Sequence, residues 1–173
     1  VGWGVVDDAE SKRAISAAIE AGIRFFDTAD VYGAGHSEKV LGEAIKGHKD
    51  IFVATKFGNQ FNEENKQITG RASDRAYIRK AVQASLRRLQ RDVIDLYQLH
   101  IDDLDGDDAI ETQDALEELV KDGLIKGYGW SSDDPKHSSQ WIGGKNFRSI
   151  QHDLNVFTPA TKTLSLVDEN GLL

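Results

Sequence analysis

The chain contains no cysteine, which excludes both a disulfide framework and a thiolate nucleophile. No uninterrupted apolar stretch approaches the length of a membrane span, so a transmembrane helix is not expected. Methionine is missing too, an initiator included, and the opening Val-Gly-Trp-Gly has neither the basic nor the apolar region of a signal peptide. The expectation is a cytoplasmic protein whose sequence starts inside a longer reading frame. Positive charge is in deficit. With 21 Lys and Arg against 29 Asp and Glu, the net charge of -8 disfavours nucleic acid as a partner, although a local basic groove could still hold one small anionic cofactor. What is present is globular material, 39% hydrophobic residues to fill a core and 29% charged residues to cover it. A length of 173 residues fits a single domain, residues 1–173.

Short apolar runs alternate with helical patterns along the chain, the signature of consecutive βα units and a parallel sheet. A helix after Asp7 and Asp8 carries Ile15, Ala18 and Ile19 on one face and stops at Gly22, and strand Ile23 to Asp27 follows. A second helix starts near Ser37, buries Val40, Leu41, Ala44 and Ile45, and ends at Gly47 before strand Ile51 to Lys56. The polar segment from Phe57 to Ser73 is long for a compact connection, and its place after Lys56 suggests a lid. Asp74 caps a helix striped by Ile78, Val82, Leu86 and Leu89, which leads into strand Val93 to His100. A helix around Leu116, Leu119 and Val120 ends at Gly123. Strand Gly127 to Ser131, a helix opened by Asp134-Pro135, strand Ser149 to Leu154 and a helical segment from about Pro159 to Glu169 complete the order.

Counting Val1 to Gly4 as part of a first strand gives six strands, whereas a closed (β/α)8 barrel typically needs about 250 residues. A doubly wound sheet would fit the length and would carry a G-x-G-x-x-G fingerprint between strand and helix. Gly33-Ala-Gly35-His-Ser-Glu38 and Gly127-Tyr-Gly129-Trp-Ser-Ser132 both lack its third glycine.

Three of the apolar runs stop on ionisable residues, at Asp27, Lys56 and His100, and Tyr32 follows Asp27 closely. In neighbouring parallel strands these ends share one face, where βα proteins keep their chemistry. A phenol is a weak acid, with a reference pKa of about 10, and a nearby ammonium favours its phenolate. Lys56 can supply that ammonium, Asp27 can pair with it, and His100 can donate a hydrogen bond to a carbonyl oxygen as charge develops there. The set suits protonation of a carbonyl during hydride transfer, and a nicotinamide cofactor has to bring the hydride. Taken singly, each residue has a structural role open to it: a strand-end cap, a solvated terminus or a loop anchor. A Schiff base on Lys56 is a further reading. His36, His48, His137 and His152 show no metal-ligand spacing, and the acidic run from Asp102 to Asp108 does not match a calcium loop, so no metal is assigned. That acidic run reads as a solvated loop.

The segments Gly22-Ile-Arg-Phe-Phe-Asp27-Thr-Ala-Asp-Val-Tyr32-Gly, Ser37-Glu38-Lys-Val-Leu-Gly42, Ala54-Thr-Lys56 and Asp95-Leu-Tyr-Gln-Leu-His100 resemble the aldo-keto reductase signatures in their usual order. The resemblance covers essentially the whole chain. It implies a (β/α)8 TIM-barrel type fold, incomplete here at about six parallel βα units, that binds NADPH and reduces small-molecule aldehydes or ketones. By it, Tyr32 is the proton donor, Asp27 and Lys56 are its tuning pair, and His100 orients the substrate carbonyl. It places Ser131, Ser132 and Gln151 on the nicotinamide carboxamide, with Ser132 standing where the family usually has asparagine. Trp3 and Gly4 fall where the first strand lines the same site. The sequence ends where the resemblance would start a seventh strand, so the barrel is expected to be open. An open barrel exposes strand edges beside an apolar interior, which points to a homo-oligomer. The alternative reading is a weakly active or inactive barrel module that self-associates through those edges.

Overall fold

The computed structural model describes residues 7–173. The expected first strand, Val1 to Gly4, lies outside the described residues, as do Trp3 and Gly4. The remaining elements follow the predicted alternation. Helix α1 (Asp8–Glu20) leads to strand β1 (Phe25–Asp27), α2 (His36–Ala44) to β2 (Phe52–Phe57), and the strands β3 (Asn59–Phe61) and β4 (Ile68–Arg71) to α3 (Arg75–Leu89). Strand β5 (Leu96–Leu99), α4 (Gly106–Lys121), β6 (Tyr128–Ser131), α5 (Pro135–Ser138), β7 (Phe147–Gln151) and α6 (Thr161–Glu169) complete the chain.

Capping sets the helix ends. Asp7, Asp74, Asp105 and Asp134 each accept a bond from a backbone N–H in the first turn, satisfying donors that a helix N-terminus leaves free. Helix α3 buries Ile78, Val82, Leu86 and Leu89, the predicted stripe, at 9% exposure or less. Among the described residues no helix is long and apolar enough to cross a membrane.

Five strands pair in the order β1-β2-β5-β6-β7, every neighbour parallel. Strand order therefore follows chain order without a reversal. A doubly wound sheet has a point where the order turns back, whereas a sheet with successive right-handed crossovers keeps its helices on one side. The helices do form one layer, with α1 packed on α2, α2 on α3 and α3 on α4. The architecture is an open arc of a (β/α) barrel. At its far edge Ile150 N donates to Leu173 O at 3.1 Å and Leu173 N to Arg148 O at 2.8 Å, so Leu173 lies beside β7 where a further strand would begin.

Alternation gives the sheet two unlike faces. Val53, Phe57, Tyr97, Leu99, Tyr128 and Trp130 are buried toward the helix layer. Behind β6 an aromatic cluster forms, in which Trp130 and Trp141 lie 4.3 Å apart and each indole N–H finds a carbonyl, Ile101 O and Ala109 O. The inner face carries Phe25 and Phe52 stacked at 5.1 Å, and above them the polar residues of the candidate site.

Three elements depart from expectation. Residues 57–73, expected as a loop, contain the antiparallel pair β3 and β4, turned at Asn62, whose side chain accepts from Glu64 N and Asn65 N. The last strand runs Phe147–Gln151 rather than Ser149 to Leu154, because Phe147 packs on Tyr128 and Trp141 while Leu154 is exposed. The acidic run after His100 is loop only as far as Asp105, which caps α4.

Candidate functional site

Asp27 closes β1 and pairs in register with Ala54, so Lys56, two residues on, rises from the same face of β2 one step nearer the strand ends. Lys56 is 2% exposed. A buried ammonium needs partners, and it has them: Nζ donates to Asp27 Oδ2 at 2.6 Å and to the Thr28 carbonyl at 2.9 Å. Gln98 pairs in register with both Lys56 and Gly129. Its Nε2 donates to Asp27 Oδ1 at 3.4 Å and to Gln151 Oε1 at 3.2 Å, while its Oε1 accepts from Ser149 Oγ at 3.0 Å. Gln151 Nε2 returns to Asp27 Oδ2 at 3.2 Å. Gly129 leaves the space this ladder occupies, since a Cβ there would collide with Ser149 Oγ. Gln98 and Ser149 were not among the predicted site residues. Their signal is alternation alone, because Gln98 stands two before His100, which directly follows its strand, and Ser149 two before Gln151 on another.

Tyr32 comes from the turn after β1. Three successive residues in that turn, Gly33, Ala34 and Gly35, have φ of 60°, 56° and 86°. Glycine adopts this region freely and alanine at a cost of about 1 kcal/mol, so the turn is held by its surroundings. Those include Tyr32 N to Ala29 O at 3.2 Å, Ser37 N to Tyr32 O at 3.2 Å, and the Thr28 and Ser37 hydroxyls at 2.8 Å. Lys56 Nζ lies 5.3 Å from the centroid of the Tyr32 ring, and the His100 ring sits edge-on to it at 6.1 Å.

His100 follows β5, and its backbone N–H donates to Phe57 O at 2.7 Å. Burial pushes the imidazole below its ordinary titration range and the Lys56 cation pushes it further, against the pull of Asp27. It is therefore neutral at pH 7, with one N–H to donate. Its Nδ1 is buried without a protein partner, a state normally relieved by a ligand or water.

Tyr32, Lys56, His100, Ser131 and Gln151 line one cleft of about 450 Å³, with Asp102, Asp133 and Asp153 at its rim. Ser132 also reaches it, but its hydroxyl is engaged in the following turn, bonded to Asp102 O at 3.2 Å and to Asp134 O at 3.3 Å. All the predicted site residues within the described range thus converge on this cleft, Asp27 through its ion pair. Among the described residues no group of three His, Cys, Asp or Glu side chains could hold a metal ion. A nicotinamide carboxamide, both donor and acceptor, fits the Ser131 hydroxyl and the Gln151 amide. The rim carboxylates do not suit phosphates. A phenol beside a cation, facing a neutral imidazole with an orphaned nitrogen, can give a proton to a bound oxygen.

Residues 1–172 match the sequence model of the Aldo/keto reductase family. The chain is 41% identical over 141 residues to "Uncharacterized oxidoreductase YqkF" of Bacillus subtilis (strain 168), covering 81% of this chain and 45% of that protein. It is 37% identical over 158 residues to "Aldo-keto reductase YhdN" of the same organism, 90% of this chain and 46% of that one. Among solved structures, the holo form of aldo-keto reductase AKR11C1 from Bacillus halodurans superposes with a TM-score of 0.89 at 37% identity, over 97% of this chain and 56% of that one. An aldo-keto reductase from Klebsiella pneumoniae in complex with NADPH superposes with a TM-score of 0.79 at 27% identity, over 95% and 56% of the two chains. The chain spans about half the length of the curated relatives it matches.

Proposed function

The chain belongs to the aldo/keto reductase family, and from that premise we propose that it serves an NADPH-dependent reduction of small aldehydes or ketones to alcohols, with Tyr32 as proton donor. The observation that carries the reading is the buried Lys56 ammonium, paired with the part-exposed Asp27 carboxylate and 5.3 Å from the Tyr32 ring centroid, with the neutral His100 ring edge-on to that phenol at 6.1 Å. When bound, NADPH supplies a hydride to the carbonyl carbon, and Ser131 and Gln151 are the residues here that would hold its carboxamide. The Klebsiella pneumoniae relative, solved with NADPH, supports that choice of cofactor.

The chain's own part is the proton and the developing charge. His100 donates its single N–H to the carbonyl oxygen, orienting it and stabilising charge as it accumulates. Tyr32 gives its hydroxyl proton to that oxygen, and the Lys56 ammonium, 5.3 Å from the ring centroid, stabilises the electron pair left on the phenolic oxygen. Asp27, fixed by Gln98 and Gln151, holds the ammonium in place. A Schiff base at Lys56 finds less support, since its Nζ is buried and bonded to two acceptors rather than free to attack.

We extend the proposal to setting and assembly: a single-domain cytoplasmic enzyme that associates with further copies. A strictly monomeric species in light scattering counts against the association. The reductase reading is tested by aldehyde-dependent consumption of NADPH by the purified protein. Absence of NADPH binding, and with it of turnover on any reactive aldehyde, would support the inactive-module reading instead.

A further inference from the structure

Outside the cleft lies a buried polar cluster that the reaction above does not use. Glu38, in the first turn of α2, is fully buried. Its Oε1 accepts from the Thr55 hydroxyl at 2.7 Å, next to Lys56 on β2, and its Oε2 accepts from Arg88 Nε of α3 at 2.6 Å. The Arg88 side chain runs directly against Gly35, where a Cβ would stand 2.7 Å from Arg88 Cδ. Gly35 N in turn donates to Asp30 O at 2.6 Å, closing the turn that carries Tyr32. Arg88 also reaches the β3–β4 hairpin, with its guanidinium 5.9 Å from the Phe61 ring and 3.6 Å from Glu63. That hairpin touches the opposite wall of the cleft, since Asn59 Nδ2 donates to the His100 carbonyl at 3.0 Å.

We infer that Glu38 and Arg88 are positioning residues: their buried pair clamps the Tyr32 turn and, through the hairpin, the His100 turn at a fixed separation across the cleft. A buried ion pair contributes little net stability compared with apolar residues of similar volume, so stability alone does not account for it. The left-handed turn from Gly33 to Gly35 needs an external restraint, and Arg88 is the side chain that lies on it. Asp30 completes the cluster, 2% exposed with one carboxylate oxygen unpartnered. Burial together with the Glu38 carboxylate drives it toward the neutral form, against the pull of Arg88. The charge inside the cluster is then balanced between Glu38 and Arg88.

The kinetic test rests on the reductase reading. Removing one partner would strand a buried charge, so both are replaced, Glu38→Leu with Arg88→Met, in the whole chain. The fold is followed by circular dichroism and thermal melting. The double variant is expected to melt cooperatively near the parent's temperature while kcat falls roughly 10- to 100-fold, because small misplacements of a reacting group cost that much. The KM for NADPH should stay within twofold, and the solvent deuterium isotope effect on kcat should rise as proton transfer from Tyr32 slows. Arg88→Lys, keeping the charge without the planar fork, should recover part of the rate. A folded double variant with kcat within twofold of the parent would overturn the inference, as would loss of the fold in both variants, which would mark the pair as purely structural. If the parent itself does not turn over, the reductase reading fails separately. The clamp is then read from the Tyr32 ring resonance in carbon-13 tyrosine-labelled protein, assigned by Tyr32→Phe among four tyrosines. A shifted Tyr32 signal in the double variant supports it and an unmoved one refutes it.

Discussion

Lys56→Met removes the cation beside Tyr32 while keeping an unbranched side chain of similar length. Nζ lies 5.3 Å from the ring centroid. Over that separation, at an effective dielectric of about 20, a full charge on the ring gains roughly 3 kcal/mol. A loss of about 2–3 kcal/mol in the transition state corresponds to roughly 30- to 150-fold in kcat. The variant should fold, since Asp27 keeps its bonds to Gln98 and Gln151 and its side chain is 30% exposed rather than stranded in apolar surroundings. The assay is steady-state reduction of an aromatic aldehyde at saturating NADPH, with cofactor affinity measured separately by fluorescence. A fall in kcat with unchanged affinity would place the ammonium in the transition state. A folded variant with kcat within threefold of the parent would refute the reasoning.

Asp30→Asn tests the buried cluster through pH. Because the folded carboxyl is raised, the native state keeps a proton that the unfolded chain loses above about pH 4, so the parent loses stability as pH rises while the amide does not. The variant's advantage in urea midpoint should therefore be larger at pH 8 than at pH 5; an equal difference at both would contradict the placement. Gln98→Leu deletes both amide bonds to the Asp27–Gln151 ladder and should lower kcat/KM about tenfold, consistent with roughly 1 kcal/mol for such bonds. An unchanged value would show that Asp27 is held without it. Trp141→Ala opens the aromatic cluster behind β6 and should cost about 3–5 kcal/mol by urea unfolding; a loss under 1 would mean the cluster relaxes to fill the space.

Strand ends were the most legible part of the sequence. Asp27, Lys56 and His100 each interrupt an apolar run, and a parallel sheet brings such interruptions to one face. Gln98 and Ser149 escaped because each lies inside a strand, where a polar residue reads as an outward-facing one. Here the inner face is polar near its top, and the two pair with each other across Gly129. The hairpin from Asn59 to Arg71 escaped for another reason. Its residues are polar and lack β-pattern alternation, and its order comes from bonds to distant elements, Asn59 to His100 and Tyr77 to Asn59. Glu38 has the sequence appearance of an ordinary first-turn acid at a helix N-terminus. Only the approach of Arg88 from α3, fifty residues on, identifies it as part of a buried pair.

The central claim is that Tyr32 delivers the proton, and Tyr32→Phe tests it with one oxygen atom removed. NADPH consumption with a reactive aromatic aldehyde is measured for parent and variant side by side, with cofactor affinity as the control for an intact site. The account predicts turnover in the parent that is lost in Tyr32→Phe while NADPH still binds. Equal turnover in both proteins would contradict it.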